Sequence, residues 1–296
     1  MKAKNNRTVV LGVFSDIHAG STIGLCPPDG VHLDDGGSYM PSPEQLWLWD
    51  CWAAGWDHVQ SIVERERRFS GTDVDLGIIS NGDATDGNHH KTVQILSGAE
   101  GAHIKCAAEC IREPLKLKPK WMWLVRGTEA HVGKSGGLEE GLAVALDREG
   151  APVQRMPNKG PWSWWDVRLE VNGRMIDFTH HGRMGQRAHT KGSYHQLFAF
   201  DVWAERAKRG ERAPDLAIRS HLHQYRDSGP PHPLECTTRV IQTPAFQLAT
   251  AYVKKVSAES LADIGLVAVV IRQNGEIDVS PCVFNPKRGP VWKPAA

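Results

Sequence analysis

No run of 18 apolar residues occurs anywhere in the 296-residue chain, so no segment reads as a membrane-spanning helix. The opening MKAKNNRTVVLGVFSD has too short an apolar core for a secretory leader, because it runs straight into the polar Asp16. None of the six cysteines (Cys26, Cys51, Cys106, Cys110, Cys236, Cys282) forms a Cys-x-x-Cys pair, and a chain of this size needs no disulfides. Reduced, buried thiols in a cytoplasmic protein are therefore expected. A net charge of +1 removes the case for an extended basic surface on duplex DNA. Internal repeats and low-complexity linkers are absent too, and 41% hydrophobic with 23% charged residues excludes wholesale disorder. What remains is a globular chain long enough to bury a substantial core.

Fourteen histidines and eleven tryptophans stand out against that plain background. Trp49, Trp52 and Trp56, with Leu46 and Ala53, recur at helical spacing and read as the core face of a helix within Pro43–Phe69. The histidines follow another logic. TVVLGVFSD (8–16), VDLGIISNGD (74–83), WMWLVRG (121–127), MIDFTHHG (175–182) and DLAIRSHLH (215–223) are short β-rich runs that stop abruptly at Asp, His or Gly. Helical segments lie between them at 43–69, about 103–112, 137–148 and 196–208. Asn172-Gly173 and Asn274-Gly275 each join two apolar runs and predict hairpins. Strands alternating with helices and then hairpins imply a mixed α/β protein with parallel and antiparallel pairing. One domain over 1–296 is expected, with an inserted loop and Trp-rich helix at about 20–69; the loop at 26–43 is long enough to suspect a lid.

Asp16 and His18 are two residues apart at a strand end, so their side chains leave one face. Asp83 closes the next run after a glycine, His180 and His181 close another, and His221 and His223 repeat the two-apart spacing. Parallel strands present their carboxyl ends along one edge, where α/β sheets bind ligands. Carboxylates and imidazoles converging there suit a divalent metal better than a salt bridge.

Asp16-Ile17-His18, Gly82-Asp83, His181-Gly182 and Ser220-His221-Leu222-His223 together resemble the signature of the calcineurin-like metallophosphoesterases, over about residues 8–225. The resemblance implies a four-layer α/β/β/α sandwich of two mixed sheets flanked by helices, with two metals at the rim. It also implies that Asp16, His18 and His223 hold the first metal, that His181 and His221 hold the second, and that Asp83 bridges both. His181 is preferred because glycine follows it, with His180 as the fallback. Mn is the first choice of metal, with Fe, Zn or Ni as alternatives.

The stretch LVRGTEAHVG (124–133) departs from that signature. Thr128 stands where the family has a metal-binding Asn, and Glu129 where it has a His. Thr128 or Glu129 is then a candidate oxygen ligand to the second metal, and His131 the candidate for the missing His, protonating the leaving oxygen or steadying the transition state. His89 and His90 are reserve candidates near the substrate, Asn88 a remote one for the missing ligand. Arg183, Arg187 and Lys191 are candidates for contacting substrate charge. The alternative box, a phosphate-cradling P-loop ending in Gly133-Lys134-Ser135, fails on spacing: five residues separate Gly127 from Gly133 where the nest takes four.

The reaction implied is hydrolysis of phosphodiester or phosphomonoester bonds by in-line attack of a metal-bound hydroxide. The substrate expected is a phosphate ester, nucleotide and nucleic acid included, with no membrane partner. A metal-dependent nuclease on single-stranded or structured nucleic acid is the second reading; PWSWW (161–165) would stack bases there, or else pack a strand. A non-catalytic scaffold on a degenerate site is the third.

Overall fold

The computed structural model describes residues 7–89, 91–183, 191–231, 236–256 and 261–286, without the side chains of 191–193, 252 and 256. The chain begins with β1 (Thr8–Phe14), a small hairpin of β2 (Val31–His32) and β3 (Ser38–Tyr39), and the long helix α1 (Pro43–Ser70). Next come β4 (Val74–Asn81), α2 (Glu100–Leu115), β5 (Trp121–Val125), α3 (Glu129–Val132), α4 (Gly137–Arg148) and β6 (Ser163–Trp164). A second sheet is then laid down by β7 (Val167–Val171), β8 (Arg174–His181), β9 (Leu216–Ser220), β10 (Arg226–Asp227) and β11 (Arg239–Gln242), with α5 (Lys191–Lys208) between β8 and β9. After α6 (Ala251–Val256), β12 (Ile264–Ile271) and β13 (Ile277–Phe284) return to the first sheet.

Two large mixed sheets result, ordered β13-β12-β1-β4-β5-β6 and β10-β11-β9-β8-β7. Within them β1, β4, β5 and β6 run parallel, as do β8, β9 and β11. Both Asn-Gly turns close antiparallel pairs, β7 with β8 and β12 with β13. Period-two alternation explains the layering. Val9, Leu11 and Val13 of β1 meet Ile176, Phe178, Leu216 and Ile218 between the sheets. Val10 and Phe14 face α1, α2 and α4 on the other side. α5 covers the outer face of the second sheet through Phe198 and Ala199. Helices, sheet, sheet and helix make four layers. Among the described residues no helix is long and apolar enough to cross a membrane.

α1 shows how sequence sets the scaffold. Ser42 and Gln45 form a capping box ahead of Pro43, and Trp52 and Trp56 pack edge-on against Phe14. Leu46 is exposed, so the buried stripe runs through Leu48 instead, with Trp49 only partly buried. The buried Gln45 amide donates to Ser21 O and Gly24 O and accepts from Tyr39 Oη. That one side chain ties the loop after β1 to the helix layer. Of the suspected lid, Val31, Leu33 and Tyr39 pack against the helix-side core.

Candidate metal centre

The carboxyl ends of β1, β4, β5, β8 and β9 converge on one rim, and Asn81 joins the two sheets there by donating to Thr179 O and Ser220 Oγ. The chain turns sharply as it leaves the strands. Among the described residues, eleven non-glycine residues have positive φ, and five of these are Asp16, His18, Asp83, His221 and His223. Left-handed backbone costs energy in such residues, so its concentration here marks a site that packing forces into shape. Two glycines are needed for the approach: a Cβ on Gly82 (φ 93°) would lie 2.3 Å from His180 Nδ1, and one on Gly127 would lie 2.1 Å from Asp83 Oδ1.

Two groups of side chains form. In the first, Asp16 Oδ1 lies 3.9 Å from His18 Nε2 and 3.3 Å from His223 Nε2, and the two ring nitrogens are 3.3 Å apart. In the second, Asp83 Oδ2 lies 2.9 Å from His180 Nε2 and 4.0 Å from His221 Nδ1. The Thr128 hydroxyl stands 3.3 Å from that His180 nitrogen and 3.0 Å from that His221 nitrogen. Asp16 Oδ1 also lies 3.9 Å from His180 Nε2, so the groups adjoin. Asp83, the bridging carboxylate expected, faces His180 and His221, and Asp16 Oδ1 faces imidazoles of both groups.

Asp16 Oδ1 and Asp83 Oδ2 are buried yet receive no hydrogen bond of acceptable geometry. Burial alone would raise both carboxyls, but His180, with His223 beside Asp16 and His221 beside Asp83, outweighs it and holds them well below the usual range. Burial likewise lowers His180, and Asp83 and Asp16 overcome this to push it up to about 10. The carboxylates thus call for positive charge at this point, which a bound cation would supply in place of the proton on His180. Two orphaned carboxylate oxygens, four imidazoles and a hydroxyl fit a pair of divalent cations.

Behind the first group lies Asp86, which sequence reasoning passed over. Its Oδ1 accepts from His18 Nδ1 at 3.0 Å and from Gln247 Nε2 at 3.4 Å, and lies 3.3 Å from His131 Nδ1 and 3.5 Å from His89 Nε2. Burial would raise it, but hydrogen bonds from His131, His18 and His89 hold it far down. A carboxylate on the distal nitrogen of His18 fixes which nitrogen faces a metal. His131 is anchored by Asp86 too, its Nδ1 donating to the backbone Asp86 O at 3.0 Å beside the carboxylate, and its ring stacks edge-on to His18 and His89 at 4.4 Å and 4.2 Å. Asp86 sits two residues before Asn88 in an irregular loop without periodicity; the Asp-x-x-Asp spacing in GDATD was its only sequence signal. Buried Glu139 was also passed over: it accepts from Gly127 N and Ala84 N, locking the loops that carry Thr128 and Asp83.

The structure places His180, rather than the preferred His181, in the second group; His181 is exposed, its ring centroid 5.2 Å from those of His180 and His221. Ile176 and Phe178 face the other sheet, and the pairing of β8 with β9 is irregular between Phe178 and His181, at the strand end that turns His180 into the group and leaves His181 exposed. Glu129 is exposed and joins neither group. It lines an open pocket of about 450 Å³ with Asn88, His89, His131 and Lys134. Arg183 is exposed, its guanidinium 6.0 Å from the Phe198 ring centroid. His90, Arg187 and the side chain of Lys191 lie outside the described residues.

No family model matches the chain, and no curated protein matches it. Among solved structures it is similar to Vacuolar Protein Sorting 29 from Cryptosporidium parvum, at 10% identity over 95% of this chain and 100% of that one, with a TM-score of 0.37. It is also similar to Vps29 complexed with zinc from Entamoeba histolytica, at 8% identity over 93% and 99% of the two chains, with a TM-score of 0.35. A third is an uncharacterized protein from Streptococcus pneumoniae described as a predicted phosphoesterase, at 10% identity over 93% and 98%, with a TM-score of 0.31. The four-layer architecture rests on the chain's own strand pairing, and the site on its own side chains.

Proposed function

We propose that the chain is a metal-dependent phosphoric ester hydrolase. Asp16, His18 and His223 would hold one divalent ion; Asp83, His180 and His221, with the Thr128 hydroxyl, would hold the other. The observation that carries this reading is the pair of adjoining Asp/His groups whose buried carboxylate oxygens, Asp16 Oδ1 and Asp83 Oδ2, face imidazole nitrogens without a hydrogen bond of acceptable geometry. Such an arrangement is costly without a cation.

When bound, two divalent ions would neutralise phosphoryl charge and provide a nucleophile from water at neutral pH. The chain's own residues do the rest. Asp86 orients His18 through Nδ1 and holds His131 through its Nδ1, so the remaining His131 nitrogen, Nε2, is the atom to protonate a leaving oxygen. Thr128 N donates to Asp83 Oδ1 at 2.7 Å, fixing that carboxylate while its other oxygen turns to the histidines. The pocket beside His131 is open for the leaving group.

The test is hydrolysis of bis-p-nitrophenyl phosphate and p-nitrophenyl phosphate by protein stripped of metal and reloaded with Mn. Turnover should return with Mn and vanish in Asp83→Ala. His131→Ala should lose about 10²- to 10⁴-fold on an ester with a poor alkyl leaving group, and less on p-nitrophenyl esters, whose leaving group needs no proton. Absence of turnover with Mn, Fe, Zn and Ni on all these esters would sink the reading.

A further inference from the structure

Of the PWSWW aromatics, Trp165 alone is left with more than half its surface open, 56%. Trp164 is tied inward by its indole N–H to Gln154 O, and Trp162 lies against the guanidinium of Arg155. Topology puts Trp165 on the rim that carries the metal centre. β6 ends at Trp164, paired with Val125 of β5 in the first sheet, and β7 starts at Val167, opposite Phe178 of β8 in the second. Residues 165–166 therefore cross between the sheets at the rim, next to the end of β8 that carries His180. On the neighbouring strand end, Arg126 N donates to Trp164 O, two residues before Thr128.

Trp165 is also held rigidly. The Arg126 guanidinium packs over the indole, its carbon 5.0 Å from the ring centroid. That arginine side chain is only 10% exposed, donates from Nε to Ser163 Oγ at 2.8 Å, and lies 3.7 Å from Glu140 Oε2. Glu140 in turn accepts from Trp162 N and Ser163 N. An aromatic fixed by a buried arginine and still open to solvent contributes little to the core. It presents a preformed plane whose ordering cost is already met.

We propose that Trp165, backed by Arg126, is a stacking platform for a nucleobase attached to the phosphate held at the metal centre, which makes the substrate class nucleotide esters. This rests on the phosphoesterase reading above. Bases stack on aromatic side chains regardless of sequence, and an arginine behind the ring strengthens the platform. A net charge of only +1 gives no overall attraction for a long phosphate backbone, so one or a few nucleotides is the size proposed.

The experiment compares kcat/KM for thymidine 5′-p-nitrophenyl phosphate with that for methyl p-nitrophenyl phosphate, which lacks a base, in wild type, Trp165→Ala and Trp165→Phe. The thymidine-to-methyl ratio should fall about tenfold in Trp165→Ala, mostly through KM, and recover in Trp165→Phe. An unchanged ratio would overturn the platform while leaving the hydrolase intact. Binding of thymidine monophosphate and of a short oligothymidylate to metal-loaded protein forms the second arm, and separates a free nucleotide from a strand end. Should no ester be hydrolysed with any metal, the hydrolase reading fails alone. Binding then decides: weaker binding in Trp165→Ala supports the platform, and equal binding in both proteins refutes it.

Discussion

On the proposed reading, adding metal to the stripped protein should raise its thermal stability in two increments, one for each Asp/His group that could hold an ion. An ion at about 100 times its Kd stabilises the folded chain by about 2.7 kcal/mol, and two independent ions by about 5 kcal/mol. A chain of this length gains roughly 2 °C per kcal/mol, so saturating Mn should raise Tm by about 10 °C over the chelated protein. Asp83→Ala deletes the Oδ2 that faces His180 and the Oδ1 that accepts from Thr128 N, dismantling the second set. The first set of Asp16, His18 and His223 remains, so the metal-induced rise should be at most half that of wild type. Differential scanning fluorimetry with chelator, Mn, Zn and Fe measures both numbers, and metal analysis after desalting counts the ions. A wild-type Tm that no divalent ion moves would refute the reasoning, as would a rise in Asp83→Ala equal to wild type.

Exchanging the two neighbouring histidines tests which of them is the ligand: His180→Ala should retain one ion per chain and His181→Ala two, with the reverse outcome restoring His181 as the ligand. Trp52→Ala removes a fully buried ring packed 5.0 Å from Phe14 and 4.8 Å from Phe246, and should cost about 3–5 kcal/mol in denaturant unfolding. Burial, reinforced by the charge of Asp83, pushes the Glu139 carboxyl from its ordinary 4.5 up to about 8. Between those values the folded chain keeps a proton that the unfolded chain has lost, so in chelator this carboxyl's contribution to stability should fall as pH rises through the window, and His180, pushed up to about 10, extends the fall beyond it. Glu139→Gln should flatten that slope, as urea midpoints on either side of the window would show.

Much of the architecture was legible because local rules set it. The runs at 8–16, 74–83, 121–127, 175–182 and 215–223 each contain an observed strand, and both Asn-Gly pairs turn hairpins. These signals are carried by a few adjacent residues, whose side-chain shape and turn preference act before any long-range contact forms. The helix stripe was misjudged at Leu46, because a Trp-rich segment has apolar residues on more than one face and spacing alone does not say which faces inward. Which of His180 and His181 turns toward Asp83 was not legible from alternation, because the pairing of β8 is irregular between Phe178 and His181.

The sequence by itself determined which chemistry lines the rim: aspartates and histidines at strand ends, a threonine in place of the expected Asn, and His131 two residues beyond Glu129. Only the tertiary structure decided how those residues divide. It joined Asp16 and His18 to His223, more than 200 residues away, set Thr128 between His180 and His221, left Glu129 outside, and put Asp86 behind both His18 and His131. The physical reason is that strand alternation and turn chemistry are local properties of the chain. Which strand ends meet depends on how two sheets pack face to face, and that is settled by apolar contacts between residues far apart in sequence.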